Sequence, residues 1–450
     1  MKKWNRILSL ALAAGMTISL AACGGGTATE SKAPETGAPA ASTPAGAEDV
    51  TIELWTYPVG SWGGENAKAE EVVAKFNEVY PNIKVNVEYL DYQNGDTAVT
   101  AAIQGGSAPD IILEGPERLV TNWGANNLMV DLSDLWAESG DDIKANSEAV
   151  AAACQLDGKY YEYPLCMTTH CMAINYEVFD QAGALQYIDE ETRTWTTDNF
   201  VKAMEAVRDS GLVAVPGIVY CGGQGGDQGT RALVTNLYSG TYTNADHTAY
   251  TVNSTENVKA LELIKSMVDS GALNANASFV ASDELQAFSN GTAAVTFCWN
   301  ASNKAQYASQ VQFTPFAMAF PSDDGKPELC GGIWGFGVFD NGDQAKIDAA
   351  KTFIKWVCDD ETQGVESVRL TGFFPVRASQ GNVYAGTEQE ANATEFLTLM
   401  PYLGDYYNVT PGWTEQRTNW WNMLQKILIS GEDIQAKADE FVTASNANIG

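Results

Sequence analysis

Between residues 50 and 113 the chain repeatedly switches hydrophobic period, and few folds accommodate the order in which it does so. Val50-Thr51-Ile52-Glu53-Leu54 alternates with period two, as a half-buried strand does. Over residues 67–80 the apolar positions Ala69, Val72, Val73, Phe76 and Val79 fall at helical spacing, and Pro81 stops the helix. Ile83, Val85, Val87 and Tyr89 alternate again, a second helix is expected over residues 97–104, and Asp110-Ile111-Ile112-Leu113 forms a third, short apolar strand. An order of β-α-β-α-β builds a parallel sheet covered by helices on both faces, with the ligand crevice beyond the carboxyl ends of the strands. Function is therefore sought in the loops leaving those ends. The first spans residues 55–65 and holds Trp55, Tyr57 and Trp62; the third is Glu114-Gly115-Pro116-Glu117-Arg118.

Further helices are expected over residues 201–210, led in by the capping sequence Thr194-Trp195-Thr196-Thr197-Asp198-Asn199-Phe200, and over residues 256–270 and 348–358. About 400 residues follow Val50, more than one hydrophobic core usually serves, so two domains are expected.

Upstream, Lys2, Lys3 and Arg6 precede an apolar run over residues 7–20 that ends in Leu20-Ala21-Ala22-Cys23, the layout of a secretory leader. The run is too short to span a bilayer, which takes about 20 apolar residues. Leu20-Ala21-Ala22-Cys23 followed by three glycines resembles the bacterial lipobox, in which the cysteine is lipidated and becomes the mature N-terminus. Residues 24–48 are mostly Gly, Ala, Ser, Thr and Pro with a few Glu, too poor in apolar surface to offset the entropy of ordering. The chain thus reads as a leader (1–22), a lipid-anchored linker (23–49) and a folded part held at the outer face of a cell membrane, in the manner of a Gram-positive lipoprotein.

With 26 basic and 57 acidic side chains and a net charge of −31, the surface would repel phosphate backbones, which excludes nucleic acid as a partner. Apart from Cys23 there are seven cysteines: Cys154, Cys166, Cys171, Cys221, Cys298, Cys330 and Cys358. They form no CxxC pair, so they read mainly as small buried hydrophobes, with one or two bridges compatible with export. Catalytic devices are scarce. The two histidines, His170 and His247, sit in no metal or nucleophile motif, and the chain has no Walker loop, no GxSxG elbow and no dinucleotide fingerprint. The glycine-rich stretch from Gly222 to Gly229 lacks a lysine and carries Asp227, which suits a ligand-contacting loop better than a phosphate cradle. Neither a cofactor nor a metal site is expected.

Tryptophan is abundant, twelve in all. Trp299 ends a strand-like run, Trp334 lies among glycines, and Trp413, Trp420 and Trp421 cluster late in the chain. Most tryptophans are core residues, but those flanked by Gly, Asn and Thr also suit stacking on the apolar faces of sugar rings. Covering roughly 50 Å² of a sugar face contributes about 1 kcal/mol, so several rings are needed. Carboxylates and amides then read hydroxyl positions, because an unmatched buried partner is costly.

Several stretches together resemble the carbohydrate-binding, maltose-binding-protein-like branch (family 1) of the extracellular solute-binding proteins of ABC importers. They are Ile52-Glu53-Leu54-Trp55, Phe76-Asn77-Glu78-Val79-Tyr80-Pro81-Asn82-Ile83-Lys84-Val85, Gly106-Ser107-Ala108-Pro109-Asp110-Ile111-Ile112, Asp157-Gly158-Lys159-Tyr160-Tyr161-Glu162-Tyr163-Pro164, Ile174-Asn175-Tyr176-Glu177-Val178-Phe179-Asp180-Gln181-Ala182-Gly183, Asn290-Gly291-Thr292-Ala293-Ala294-Val295 and Gly331-Gly332-Ile333-Trp334-Gly335. The resemblance implies an α/β, two-lobed periplasmic-binding-protein-like fold of type II, each lobe with a central β-sheet flanked by helices. The chain would cross between lobes near residues 164–170, 334–338 and 380–390, giving lobe one as 50–165 and 335–380 and lobe two as 166–334 and 381–450. It also implies ligand contacts at Glu114, Glu117 and Arg118 after the third strand, at Thr168 and His170 in the first crossing and at Trp334 in the second. In lobe two it points to Gln224, Asp227, Trp299 and the late tryptophans Trp420 or Trp421. Where maltodextrin-binding members carry a tryptophan, this chain has Glu114.

The expectation is a monomeric, non-enzymatic binding lipoprotein that closes on a mono- or oligosaccharide and delivers it to ABC permease subunits. The alternatives are a binding protein of the same fold for a non-sugar solute such as a peptide or polyamine, to which Glu114, Glu117 and Asp227 would be suited, and a secreted glycosidase with a carboxylate pair.

Overall fold

The structure, a computed structural model, describes residues 49–64, 67–92, 94–223 and 227–449. The leader, Cys23 and nearly all of the linker lie outside the described residues, as does Gln224. The described strands are β1 (Val50–Thr56), β2 (Ile83–Tyr89), β3 (Ile111–Glu114), β4 (Gln155–Leu156), β5 (Lys159–Tyr160), β6 (Tyr163–Asn175), β7 (Ile218–Tyr220), β8 (Asn274–Asn276), β9 (Val295–Trp299), β10 (Pro315–Met318), β11 (Cys330–Val338) and β12 (Phe374–Pro375).

The expected β-α-β-α-β unit is present. β1 pairs in parallel with β2, Ile52 opposite Val85, and on its other edge with β3, Leu54 opposite Ile111. The crossovers are the helices Ala69–Val79 and Gly95–Gln104. The first buries Ala69, Val72, Val73 and Phe76, the positions its spacing selected, and Phe76 meets Phe353 of the helix Gln344–Asp359 edge-on at 5.0 Å. The helix led in by residues 194–200 opens inside that capping sequence as expected, whereas the one expected from residue 348 starts earlier because its cap lies further upstream. Thr196 accepts from the Asn199 N–H and opens Thr197–Ser210, and Asp343 accepts from the Ala345 and Lys346 N–H groups and opens Gln344–Asp359.

Beyond β3 the sheet turns antiparallel. β11 lies beside β3 with Gly335 opposite Glu114, and β6 lies beside β11. β6 is thirteen residues long and buried throughout. Its first half pairs with β11 and β12, and its second half with β9 and β10, so one continuous strand serves two sheets. The β6–β11 ladder has one irregularity: Trp334 faces Cys166, whereas Gly335 faces Pro164, leaving Leu165 as an extra residue. Helices including Thr197–Ser210, Gln228–Leu237, Thr255–Ser270, Trp413–Leu428 and Ile434–Asn446 build the body around β9 and β10. The architecture is thus a two-lobed α/β fold, each lobe having a central sheet flanked by helices.

All seven described cysteines are buried and unbridged, with burial pushing Cys221 up to about 11 and Cys358 up to about 12. The one or two bridges allowed by the sequence are not formed among them, since each thiol is taken up as a small apolar side chain. No helix among the described residues is long and apolar enough to cross a membrane.

Candidate ligand-binding site

Past the carboxyl ends of β1 and β3, charged and aromatic side chains converge. The Tyr57 ring stacks on Tyr92, centroids 5.2 Å apart, and its hydroxyl donates to Asp96 Oδ1 at 2.8 Å. Gly95 makes room for this, since a Cβ there would lie 2.5 Å from the Tyr57 ring. Arg118 is buried and donates to Asp96 from Nε (2.6 Å) and Nη2 (3.0 Å) and to Glu114 Oε1 from Nη1 (2.5 Å). The other Glu114 oxygen accepts from the Gly115 N–H at 2.7 Å. One guanidinium therefore hydrogen-bonds two carboxylates, and a third, Glu117 Oε1, lies 3.8 Å from its Nη1. Burial raises Glu114 to about 8 against the pull of Arg118, whereas at Asp96 the charge and hydrogen bonds of Arg118 outweigh desolvation and hold the carboxyl low.

The floor of the crevice is β6 and β11. Trp334 stacks on Phe373 at 4.9 Å and 14°, meets His170 edge-on at 6.0 Å, and donates to the Tyr92 hydroxyl. The His170 Nδ1 faces the side-chain amides of Asn300 (3.4 Å) and Gln228 (3.5 Å), which makes it an acceptor and places the proton on Nε2. Burial, with Arg231 nearby, lowers His170 to about 4, so the imidazole is neutral and is not a general base poised near pH 7. Thr168, beside it on β6, is fully buried and donates to the Thr169 carbonyl.

The opposite wall is a second ionic cluster. Asp227 Oδ1 accepts from Arg417 Nε (3.1 Å) and Nη2 (3.0 Å), and Oδ2 lies 3.3 Å from Arg231 Nε. Although burial alone would raise it, these two cations hold Asp227 low. The Arg231 guanidinium lies 4.4 Å from the centroid of Trp413, near Tyr242 and Tyr407, and donates to Asn408 Oδ1 at 3.1 Å. The two walls meet where the Tyr406 hydroxyl donates to Glu117 Oε2 at 2.9 Å.

The structure therefore brings Tyr57, Glu114, Glu117 and Arg118 into one cluster and Asp227 and Trp413 into another, with Thr168, His170 and Trp334 on β6 and β11. Three tryptophans expected as ligand contacts, Trp62 in the first loop, Trp299 as a strand-end platform and Trp420 as one of two late stacking rings, are buried in the core. Trp62 is fully buried against Phe336 and donates to the Ser367 carbonyl; Trp299 is fully buried against Phe288; Trp420 donates to Thr230 Oγ1 and packs on Tyr242 and Phe441. Trp55 and Trp421 are half-buried against apolar clusters. Tyr92, Asp96, Glu162, Arg231, Tyr406 and Arg417 were not selected from the sequence. A signal existed for two of them: Arg231 lies one helical turn from Asp227, and Glu162 is the single charge in Tyr160-Tyr161-Glu162-Tyr163-Pro164-Leu165.

Residues 60–364 match the family model of the bacterial extracellular solute-binding proteins. The chain belongs to that family. Solved solute-binding proteins share its fold at low sequence identity. An ABC substrate-binding protein from Listeria monocytogenes in complex with cycloalternan aligns with a TM-score of 0.71 and 20% identity over 89% of this chain and 98% of that one. A solute-binding protein from Thermotoga lettingae bound with α-D-tagatose gives 0.72 and 15% over 89% and 100%. UgpB from Mycobacterium tuberculosis in complex with glycerophosphocholine gives 0.70 and 18% over 88% and 98%. No curated protein sequence matches the chain. As a solute-binding protein it is a non-catalytic transport component that works outside the cytoplasm, with a solute and ABC permease subunits as its partners.

Proposed function

We propose that this solute-binding protein captures a mono- or oligosaccharide between its lobes, closes over it, and presents it as a monomer to an ABC importer in the membrane to which lipid on Cys23 tethers it. The observation that carries the reading is the pairing of aromatic faces at Tyr57, Tyr92, Trp334 and Trp413 with the Asp96–Arg118–Glu114 and Asp227–Arg231–Arg417 clusters in one crevice. Rings cover the C–H faces of a sugar while fixed charged groups bond its hydroxyls. Solved solute-binding proteins of this fold are in complex with cycloalternan, tagatose and acarbose, which supports a sugar, and one is in complex with glycerophosphocholine, a non-sugar phosphodiester.

The proposed lobes are residues 50–165 with 335–380 and residues 166–334 with 381–450. The extra residue Leu165 and the register step at Trp334/Gly335 support the first two boundaries, because a bulge is where a ladder bends most readily. Binding shifts the population toward the closed form by the difference in affinity between the two states.

Isothermal titration of the mature protein against mono- and oligosaccharides, with X-ray scattering before and after addition, tests this. Stoichiometric binding of a sugar, a smaller radius of gyration and weaker binding by Trp334→Ala are expected; heat from no sugar in a broad panel overturns the carbohydrate reading. Lipidation is tested by mass spectrometry of the membrane-bound N-terminal peptide, with release of Cys23→Ala into the medium expected.

A further inference from the structure

Glu162, the residue just before β6, is fully buried, and neither carboxyl oxygen has a hydrogen-bond partner. Its carboxyl lies against Gly335 of β11, where Oε1 would be 2.7 Å from a Cβ on that glycine. On the other edge of β11, Gly335 faces Glu114, and the Glu117 carboxyl is folded back over Gly115, its Oε2 2.5 Å from where a Cβ on Gly115 would lie. The charges that act on Glu162 are those of Glu117 and Glu114, and the other titratable groups that feel it are Cys154, Cys166 and Tyr406. Desolvation, followed by Glu117 and Glu114, raises its carboxyl well above the usual carboxylate range, which favours the protonated form. Asp96, Glu114 and Glu117 share Arg118, and Asp227 is held by Arg231 and Arg417, whereas Glu162 has no ion-pair partner among the described residues.

An unpartnered buried carboxyl is costly, and a chain that keeps one has a use for it. No group of His, Cys, Asp and Glu among the described residues is arranged to hold a metal ion. We propose that Glu162 and Glu117 form a subsite for a protonated amine, so that the solute is an amino sugar or another polyol bearing a basic nitrogen. This rests on solute capture in the crevice and narrows its chemical class. An ammonium group between the two carboxyls donates charge-assisted hydrogen bonds to both, whereas a neutral hydroxyl brings no charge to meet theirs. Glu162 gives its proton to the buffer as the ammonium arrives, and no covalent bond forms or breaks.

The test is calorimetry on the mature protein in phosphate and in Tris, buffers that differ in ionisation enthalpy, using three matched disaccharides: de-N-acetylated chitobiose, N-acetylated chitobiose and cellobiose. The amine sugar is expected to bind at least tenfold tighter than the other two, releasing about one proton per site. Glu162→Gln is expected to abolish both the preference and the proton release, and Glu117→Gln to weaken the preference. The wild-type proton count stands even if Glu162→Gln fails to fold. Equal or tighter binding of the neutral sugars, or no buffer dependence, overturns the amine subsite and leaves sugar capture intact. If no disaccharide binds, spermidine decides: binding with proton release keeps the subsite and replaces the sugar, and silence overturns both.

Discussion

The hydroxyl of Tyr406 donates to Glu117 Oε2 at 2.9 Å, joining two walls of the crevice that otherwise hold separate ionic clusters. Glu117 stands in the short helix after β3, and Tyr406 belongs to the segment whose Asn408 accepts from Arg231. A hydrogen bond to a charged group contributes about 1.5–3 kcal/mol. Tyr406→Phe is therefore expected to favour the open form, with a larger radius of gyration by scattering in the absence of solute. An unchanged radius would place both residues on one rigid body.

Asp227→Ala leaves Arg231 and Arg417 buried without the carboxylate they share. Breaking a buried pair in this way costs about 3–5 kcal/mol, and urea denaturation should show a loss of that size. A loss under about 1 kcal/mol would mean that the guanidinium groups are stabilised by the surrounding rings alone.

Trp299→Ala and Trp420→Ala should each lower stability by about 3–5 kcal/mol, the range for removing a buried large aromatic side chain. Trp334 is half-buried and stacks on one face only, so Trp334→Ala should cost less stability and more solute affinity. Comparing denaturation midpoints with dissociation constants for the three variants separates core from site.

Glu284 is fully buried and accepts from Thr296 Oγ1 at 2.6 Å and the Phe297 N–H at 2.8 Å, and burial raises it to about 8. A raised carboxyl contributes stability that is complete below its unfolded value of 4.5 and is lost as pH rises toward 8, at up to about 1.4 kcal/mol per pH unit. His170, held to about 4, acts in the opposite sense and only as pH falls below 6.5. Between pH 6.5 and 8 Glu284→Gln should therefore lose less stability than the wild type, the slope that remains coming from the raised carboxyls of Glu114 and Glu162; parallel curves would show that Glu284 is ionised throughout.

Gly335→Ala would set a Cβ 2.5 Å from Pro164 Cα and from the Tyr163 carbonyl oxygen, both backbone atoms that cannot swing aside. Overpacking of this kind typically costs about 1–3 kcal/mol. A lower melting temperature is expected, with a change in solute affinity as well because the step at Trp334/Gly335 is displaced.

The parallel unit of β1, β2 and β3 was legible because Ile52, Leu54, Val72, Phe76 and Val85 follow periods of two and 3.6 without interruption. Loop positions after β3 were legible for the same reason, since Glu114, Glu117 and Arg118 follow from where the strand ends. What periodicity cannot report is which face of a late helix meets which partner. Trp420 and Trp413 lie seven residues apart on the helix Trp413–Leu428, yet one bonds Thr230 in the core and the other covers Arg231. Arg417 and Tyr406 reach Asp227 and Glu117 across separations of 190 and 289 residues, and no local pattern encodes such pairs.

The seven unbridged thiols have a consequence for the life of the chain after export. With Cys154, Cys166, Cys171, Cys221, Cys298, Cys330 and Cys358 all packed as apolar side chains, the native state contains no covalent cross-link among the described residues. Reduction therefore has no cross-link among these residues to break, and each thiol is packed away from solvent where an oxidant would have to reach it.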